Sequence, residues 1–521
     1  MQLYNTESGR KETFQPLGDV VKMYVCGLTP KNEPHLGHAR LFAVNDTVRR
    51  YLEYRGYPVR YIQNFTDIDD KIIAAGLRDG IPAFEAAKRY TDAYFEVMGR
   101  LGIRPADEFT FVTQYIPQII EMVQGLIETG HAYAVDGDVF FSVPSFPAYG
   151  RLSGRDEKAM RAGARIEEDP RKRDPRDFAL WKSAKPGEPW WESPWGQGRP
   201  GWHIECSTMA MHALGEQIDI HGGGSDLIFP HHENEIAQTE SFTGKVPFVR
   251  FWLHTGMLSL PSDDDGSEPA SQEELDAEAV AETIANEEGE GPDGAARSTQ
   301  KMAHSGSFVT IASVLAAGDV PPMALRTYLL GQQYRANLIY SEDQLRASVV
   351  RWRRWAETAT NLRRLIAWAE DAQATAGATA DPETLQRLDG ARADFIAALD
   401  DDLNTSRALS VIDELVHRIN DLASGLRAET LAPETAPTLR AALDTLVELT
   451  GVVGIALDEA EASGGLSAER RAEIEERVRQ RDTARKNRDW AESDRIRKEL
   501  DERYHVTVKD TPQGAVWTIK E

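Results

Sequence analysis

The chain has 521 residues, 41% hydrophobic and 27% charged, a balance ordinary for globular protein and a length too great for one core, so three or four domains are expected. No run of 18 apolar residues occurs and the first residues, Met1 to Glu7, lack a signal-peptide core, so neither a membrane span nor a secreted chain is expected. The net charge of −25 argues against a uniformly basic nucleic-acid binder, but residues 261–300 hold thirteen acidic residues and one basic, Arg297, which leaves room for basic patches elsewhere.

In chain order, Val20 to Gly27 is a β-rich run ending in a turn. A helix follows, with Leu41, Val44, Val48, Tyr51 and Leu52 at helical spacing. Tyr57 to Asn64 is a second strand, and another helix begins after Asp67. Strand, helix, strand, helix predicts a parallel, Rossmann-like α/β sheet, whose first half we place at residues 1–115. Residues 116–200 mix helix, hairpin and Pro/Trp/Gly-rich loop and read as an insertion. Over 201–260 the strand-then-loop grammar resumes, with Ile218-Asp219-Ile220 running into His221-Gly222-Gly223-Gly224.

The acidic block, 261–300, is dense in like charge and is expected to be a solvated, disordered loop. A separate stretch covers 301–330. From 331 to 460, Leu, Val and Ile recur every three or four positions, which predicts a helical bundle. Ala462 to Leu466 reads as a linker. The last part, 466–521, opens with a charged helix over 467–501 and ends in two short β segments, Val506 to Val508 and Ala515 to Ile519, which makes a small α+β domain.

The only two cysteines, Cys26 and Cys206, both sit in unusual surroundings. With no secretory signal, reduced thiols and a cytoplasmic location are expected. His231 and Glu235 are four apart, so a helix would project them from one face. Two thiolates, one imidazole and one carboxylate would make a tetrahedral zinc set. The alternative is a pair of inert core cysteines, which composition alone favours.

The surrounding text resembles that of the cysteinyl-tRNA synthetases, a class I aminoacyl-tRNA synthetase family, in order along nearly the whole chain. The similar segments are Met23-Tyr24-Val25-Cys26-Gly27, Pro34-His35-Leu36-Gly37-His38-Ala39-Arg40 and Thr66-Asp67-Ile68-Asp69-Asp70-Lys71. Gly201-Trp202-His203-Ile204-Glu205-Cys206, His221-Gly222-Gly223-Gly224-Ser225-Asp226 and Pro230-His231-His232-Glu233-Asn234-Glu235 continue the match. The resemblance implies one zinc ion per chain on Cys26, Cys206, His231 and Glu235, binding the thiolate of substrate cysteine. It places Gly27, Thr29, Thr66, Trp202 and His221 around that amino acid. His35, Gly37 and His38 fit the HIGH signature for ATP, which enters with Mg2+, and Asp226 falls in the stretch that contacts adenosine.

The second class I signature, KMSKS, has its best match at Lys301-Met302-Ala303-His304-Ser305. Lys301 keeps the first lysine, but His304 stands where the second belongs, and the acidic block directly precedes the motif. A free histidine, with a pKa of about 6.5, is mostly neutral at pH 7, so this loop brings less positive charge to the departing pyrophosphate. The resemblance further implies tRNA(Cys) as partner, a monomer, and an anticodon-binding role for 466–521. There, Arg477, Arg479, Arg481, Arg485, Lys486, Arg488, Arg495, Arg497 and Lys498 surround Trp490 on charged helix. A solvated face with intrahelical ion pairs is the alternative for that stretch.

The reading is therefore a cysteine--tRNA ligase. Its rivals are a weakened or non-catalytic zinc- and cysteine-binding relative, and a mycothiol-type cysteine ligase, a group that lacks the anticodon domain.

Overall fold

A computed structural model describes residues 1–155, 169–261, 309–316, 318–371, 379–426, 431–458, 468–487, 489–504, 506–511 and 514–519. Lys301, His304 and nearly all of the acidic block lie outside the described residues. An N-terminal hairpin, β1 (Gln2–Asn5) and β2 (Arg10–Thr13), precedes the core sheet. The core strands are β3 (Val21–Leu28), β4 (Val59–Phe65) and β5 (Glu108–Phe111). Helix α1 (Leu36–Tyr54) crosses from β3 to β4, and α2 (Asp70–Asp79) with α3 (Ala83–Arg100) crosses from β4 to β5.

The insertion begins with α4 (Ile116–Glu128) and builds a four-stranded antiparallel sheet from β6 (Ala132–Val135), β7 (Asp138–Phe141), β8 (Phe178–Ser183) and β9 (Gly198–Pro200). Asp136 and Gly137 both take positive φ at the β6–β7 turn, the conformation a two-residue hairpin requires. Then α5 (Trp202–Leu214), β10 (Ile218–Gly224), α6 (Glu233–Thr243) and β11 (Val249–Thr255) complete the α/β unit.

The core order is β11-β10-β3-β4-β5, every pairing parallel. Such strands are covered on both faces, which is why β3 and β10 are buried almost throughout. The chain winds one way from β3 to β5 and returns to the other side of β3 for β10. The strand order therefore reverses between β3 and β10, and their carboxyl ends open a crevice there.

After β11 the chain passes through β12 (Leu258–Ser259), leaves the sheet, and returns through α7 (Ile311–Ala316), α8 (Pro322–Leu329) and β13 (Leu338–Ile339). Its outgoing and returning legs meet again: β12 pairs parallel with β13, Met257 N–H donates to Asn337 Oδ1 at 2.9 Å, and Leu338 N–H to Met257 O at 2.8 Å.

The helical bundle consists of α9 (Glu342–Asp371), α10 (Pro382–Asp400), α11 (Thr405–Ala423) and α12 (Ala436–Val452). Trp352 and Trp355 are fully buried in its core. Asp402 and Leu403 join α10 to α11 with positive φ, and Asp402 accepts from Tyr4 N–H, Tyr334 Oη, Gln333 Nε2 and Arg335 Nε. The left-handed backbone is thus held by four partners from two other parts of the chain.

The single charged helix expected over 467–501 is instead two, α13 (Ala468–Lys486) and α14 (Trp490–Tyr504), followed by the hairpin β14 (Val506–Thr511) and β15 (Gly514–Ile519). Folding back lets Ile474, Val478, Ile496, Leu500 and Tyr504 share a small core with β14, which one straight helix could not bury. Among the described residues, no helix is long and apolar enough to cross a membrane.

Candidate active site and metal centre

Cys26 lies near the end of β3, Cys206 on the second turn of α5, and His231 and Glu235 where the chain after β10 turns into α6. All four are buried. Their ligand atoms lie within 4.8 Å of one another. Cys26 Sγ is 3.7 Å from Cys206 Sγ, 3.6 Å from His231 Nε2 and 3.5 Å from Glu235 Oε1. A disulfide needs about 2.05 Å, so the thiols are free. A tetrahedron with zinc–sulfur bonds of about 2.3 Å has an edge of roughly 3.8 Å, so the sulfur spacing fits that ion. Cys26, His221, His232 and Glu235 form a second, overlapping set of compatible donors.

The electrostatics suit a cation. A hydrogen bond from Cys26 pulls the Cys206 thiol down to about 6 against the opposing effect of burial. Burial in turn pushes Cys26 well above its usual value. For His231, burial is outweighed by the Cys206 sulfur and the Glu235 carboxylate, which push it up to about 10. Glu235, also buried, is brought down to about 2 by His221 and His231. Negative charge thus gathers among buried groups with a proton on His231 as its counter-charge, a role that a metal ion could take at these donors.

Histidines that the sequence did not single out support the ligands. His203 Nδ1 lies 2.8 Å from His231 Nδ1, which turns the other nitrogen of His231 toward the thiols. His232 approaches Cys26 Sγ at 3.4 Å and meets His254 at 2.8 Å, which meets Thr6 Oγ1 at 2.8 Å. Burial drives His232 and His254 down, so both are neutral. His203 and His232 had a local signal, as neighbours of Cys206 and His231; a lone histidine on β11 has none.

The residues expected around the amino acid gather at the same crevice. Gly27 N–H donates to Asn64 Oδ1 at 2.8 Å, and a Cβ there would sit 1.6 Å from Asn64 O, so only glycine fits. Thr29 follows on the loop out of β3, half-buried. Thr66 Oγ1 donates to buried Glu205 at 3.1 Å. The Trp202 ring lies 4.4 Å from that of His231. His221 bonds Glu235 Oε2 through Nε2 at 3.0 Å and stacks on Trp252 at 4.6 Å, while its Nδ1 is buried with no hydrogen-bond partner.

His35 and His38 stand at the start of α1. Gly37 N–H donates to His35 Nδ1 at 3.1 Å, and His35 N–H to His38 Nδ1 at 3.2 Å. The rings stack at 3.6 Å. A Cβ on Gly37 would meet the His35 ring at 3.0 Å, so this glycine first of all makes room for its own neighbour. Both caps use the Nδ1 lone pair, which places the proton of each neutral ring on Nε2. Burial, followed by the Lys31 ammonium, brings His35 down to about 4, and burial also lowers His38. Asp226 lies half-buried in the turn after β10.

A pH effect follows from the caps. Between about 6.5 and about 4 the unfolded histidine binds a proton that the folded His35 refuses, so stability falls as pH falls through that window. His35→Asn keeps an acceptor at the cap but does not titrate. Its melting temperature is expected to fall less steeply than that of the wild type over this range, and parallel curves would contradict the assignment.

On the C-terminal unit the basic charge is partly spent internally. Arg481 is buried, Arg479 pairs with Glu476, and Arg495 pairs with Glu492 and Glu499. Arg485 lies over the half-exposed Trp490 ring at 5.7 Å.

Comparison with known proteins bears on the whole chain. Residues 13–265 match the family model of the tRNA synthetases class I (C) catalytic domain, and residues 394–458 that of the DALR domain. The cysteine--tRNA ligase of Dehalococcoides mccartyi is 42% identical, with all of each chain covered. That of Geobacillus thermodenitrificans is 42% identical over 99% of this chain and 98% of its own, and that of Moorella thermoacetica 43% over 99% of each. Among solved structures, Mycobacterium tuberculosis methionyl-tRNA synthetase with methionyl-adenylate superposes with a TM-score of 0.57 at 15% identity, covering 84% of this chain and 92% of that one. The LeuRS of a ternary complex from Agrobacterium radiobacter gives 0.52 at 12%, covering 87% and 86%. These two likenesses bear on fold alone.

Proposed function

We propose that this chain, which belongs to the cysteine--tRNA ligase family and is thus an aminoacyl-tRNA ligase, activates cysteine with ATP and transfers it to tRNA(Cys) in the cytoplasm. The observation that carries the reading is the buried Cys26–Cys206–His231–Glu235 cluster at the sheet's switch point, beside the paired histidines of α1. Zinc is the ion best suited to this donor set, and when bound it supplies a soft Lewis acid for a substrate thiolate, for which a serine hydroxyl is a poor substitute.

The chain's own groups do the rest. His203 holds His231 in the tautomer that faces the sulfurs, and Trp202 covers the His231 ring and limits water. Gly27, Thr29, Thr66 and His221 line the space for the amino acid. The Nε2–H groups of His35 and His38 would serve as neutral donors for the phosphates of ATP with its Mg2+, and Asp226 would lie on the adenosine side. Lys301 and His304 would meet the leaving pyrophosphate. The C-terminal unit, with Trp490 and Arg485 on its surface, supports a tRNA partner over the mycothiol-type alternative.

Cysteine-dependent ATP–pyrophosphate exchange tests the reading. Exchange with cysteine and almost none with serine is expected, and its absence in zinc-loaded protein would favour a non-catalytic relative. His304 motivates a weakened enzyme as the second reading. His304→Lys is expected to raise kcat for adenylate formation by about tenfold or more, with the KM for cysteine unchanged, since the loop acts on the leaving group. Equal rates in both proteins would mean that another cation serves the phosphate.

A further inference from the structure

We infer that Arg40 is a positioning residue for adenylate formation, fastening both legs of the excursion between β11 and β13 to the helix that carries His35 and His38. The inference rests on the function proposed above. Arg40 lies two residues beyond His38 on α1 and is fully buried. Its Nη1 donates to Gly256 O at 2.9 Å and Met257 O at 3.0 Å on the outgoing leg. Its Nη2 donates to Gln333 O at 3.3 Å, Tyr334 O at 3.5 Å and Ala336 O at 2.6 Å on the returning leg.

A buried guanidinium is normally matched by a carboxylate, as Arg326 is by Asp46. Around Arg40, among the described residues, five backbone carbonyls take that place, and its Nε has no hydrogen-bond partner. Carbonyls point where the backbone points, so the planar fork of Arg40 fixes the direction of two chain segments at once. A hydrophobic side chain would fill the same volume without fixing either.

A third attachment lies just before α1, at its cap. Ile311 N–H donates to Pro34 O at 3.1 Å, and Thr310 forms an antiparallel bridge with His35. The described legs of the excursion are therefore held at three places by residues 34–40, the same stretch that presents the histidine pair. The returning leg is also gripped from the bundle, where Asp402 accepts from Gln333, Tyr334 and Arg335. Arg40 is the link between that grip and α1. A misplacement of about 1 Å away from the reacting atoms can cost on the order of 10² in rate, so loosening this joint acts on turnover.

The test uses the full zinc-loaded chain and exchange rates expressed per folded molecule. Arg40→Lys keeps the charge but cannot span five carbonyls. It is expected to lower kcat by about ten- to a hundredfold, leaving zinc content intact and the KM for cysteine within about twofold. Thr310→Gly, at a partly exposed position, is expected to lower kcat by about threefold or more in the same pattern. Trp352→Phe, in the bundle core, where the indole N–H donates to Ala456 O and not to Arg40 or Thr310, serves as a control for lost stability and should keep its kcat. Unchanged kcat in both Arg40→Lys and Thr310→Gly overturns the inference, as does an equal loss in Trp352→Phe. Should Arg40→Lys fail to fold, Thr310→Gly decides alone. Exchange by the unaltered chain separates this failure from that of the proposed function, since its absence would remove both.

Discussion

Cys206→Ser is expected to strip the metal from the protein and to reduce cysteine-dependent exchange by a thousandfold or more. Serine is nearly the same size, so α5 keeps its packing, but a hydroxyl does not ionise near neutral pH and is a poor zinc ligand. The four-donor set then holds one sulfur. His231 also loses the sulfur that raises its proton affinity, so the charge pattern of the pocket collapses together with its ligand count. A site that recognises a substrate through one bonding group discriminates by about 10⁴ when that group is missing, and removing the protein's side of the bond has a comparable effect. Metal analysis together with exchange kinetics reads both losses. A variant that still held one zinc per chain and activated cysteine normally would sink the assignment.

The second large effect concerns stability. Asp46 on α1 is buried and accepts from Arg326 Nη2 at 2.6 Å and Arg50 Nε at 2.8 Å. Arg326, on α8 and fully buried, also donates to Val453 O and Leu101 O. Burial raises the Asp46 carboxyl, but Arg326 and Arg50 outweigh it and hold it below the usual range. Asp46→Ala would strand the Arg326 guanidinium in the core, at a cost of about 3–5 kcal/mol. The midpoint of chemical denaturation should fall accordingly, and Asp46→Ala combined with Arg326→Met should recover much of it. A single variant as stable as the wild type would show that water reaches Arg326.

What was legible in the sequence was what local spacing encodes. The apolar runs of β3 and β4 and the helical stripe of Leu41, Val44, Val48 and Leu52 were each readable, and with them the parallel sheet. That Cys26, Cys206, His231 and Glu235 belong to one cluster was legible because the two cysteines and the His231–Glu235 pair sit in distinctive text. Contacts made only by tertiary folding were not. His254 is one polar residue in an apolar strand, and nothing around it predicts a hydrogen bond to His232. Arg40 follows two histidines on a helix, and nothing in its local spacing shows that two distant chain segments converge on its guanidinium. The break between α13 and α14 was hidden because the sequence there is charged throughout, and only the few apolar residues that meet across the turn require it.

The pairing of β12 with β13 has a consequence for how the chain tolerates change. Leu258 pairs with Leu338, and Thr310 bridges back to His35, so the chain leaves the catalytic core after β12 and rejoins it at fixed places. Closing a flexible loop costs entropy that grows with the logarithm of its length, about 0.6 kcal/mol for each doubling. A change in the number of residues between these fixed points thus weighs little against the catalytic core. The fold fixes where this excursion starts and stops, and leaves its length and charge open to selection for properties other than stability.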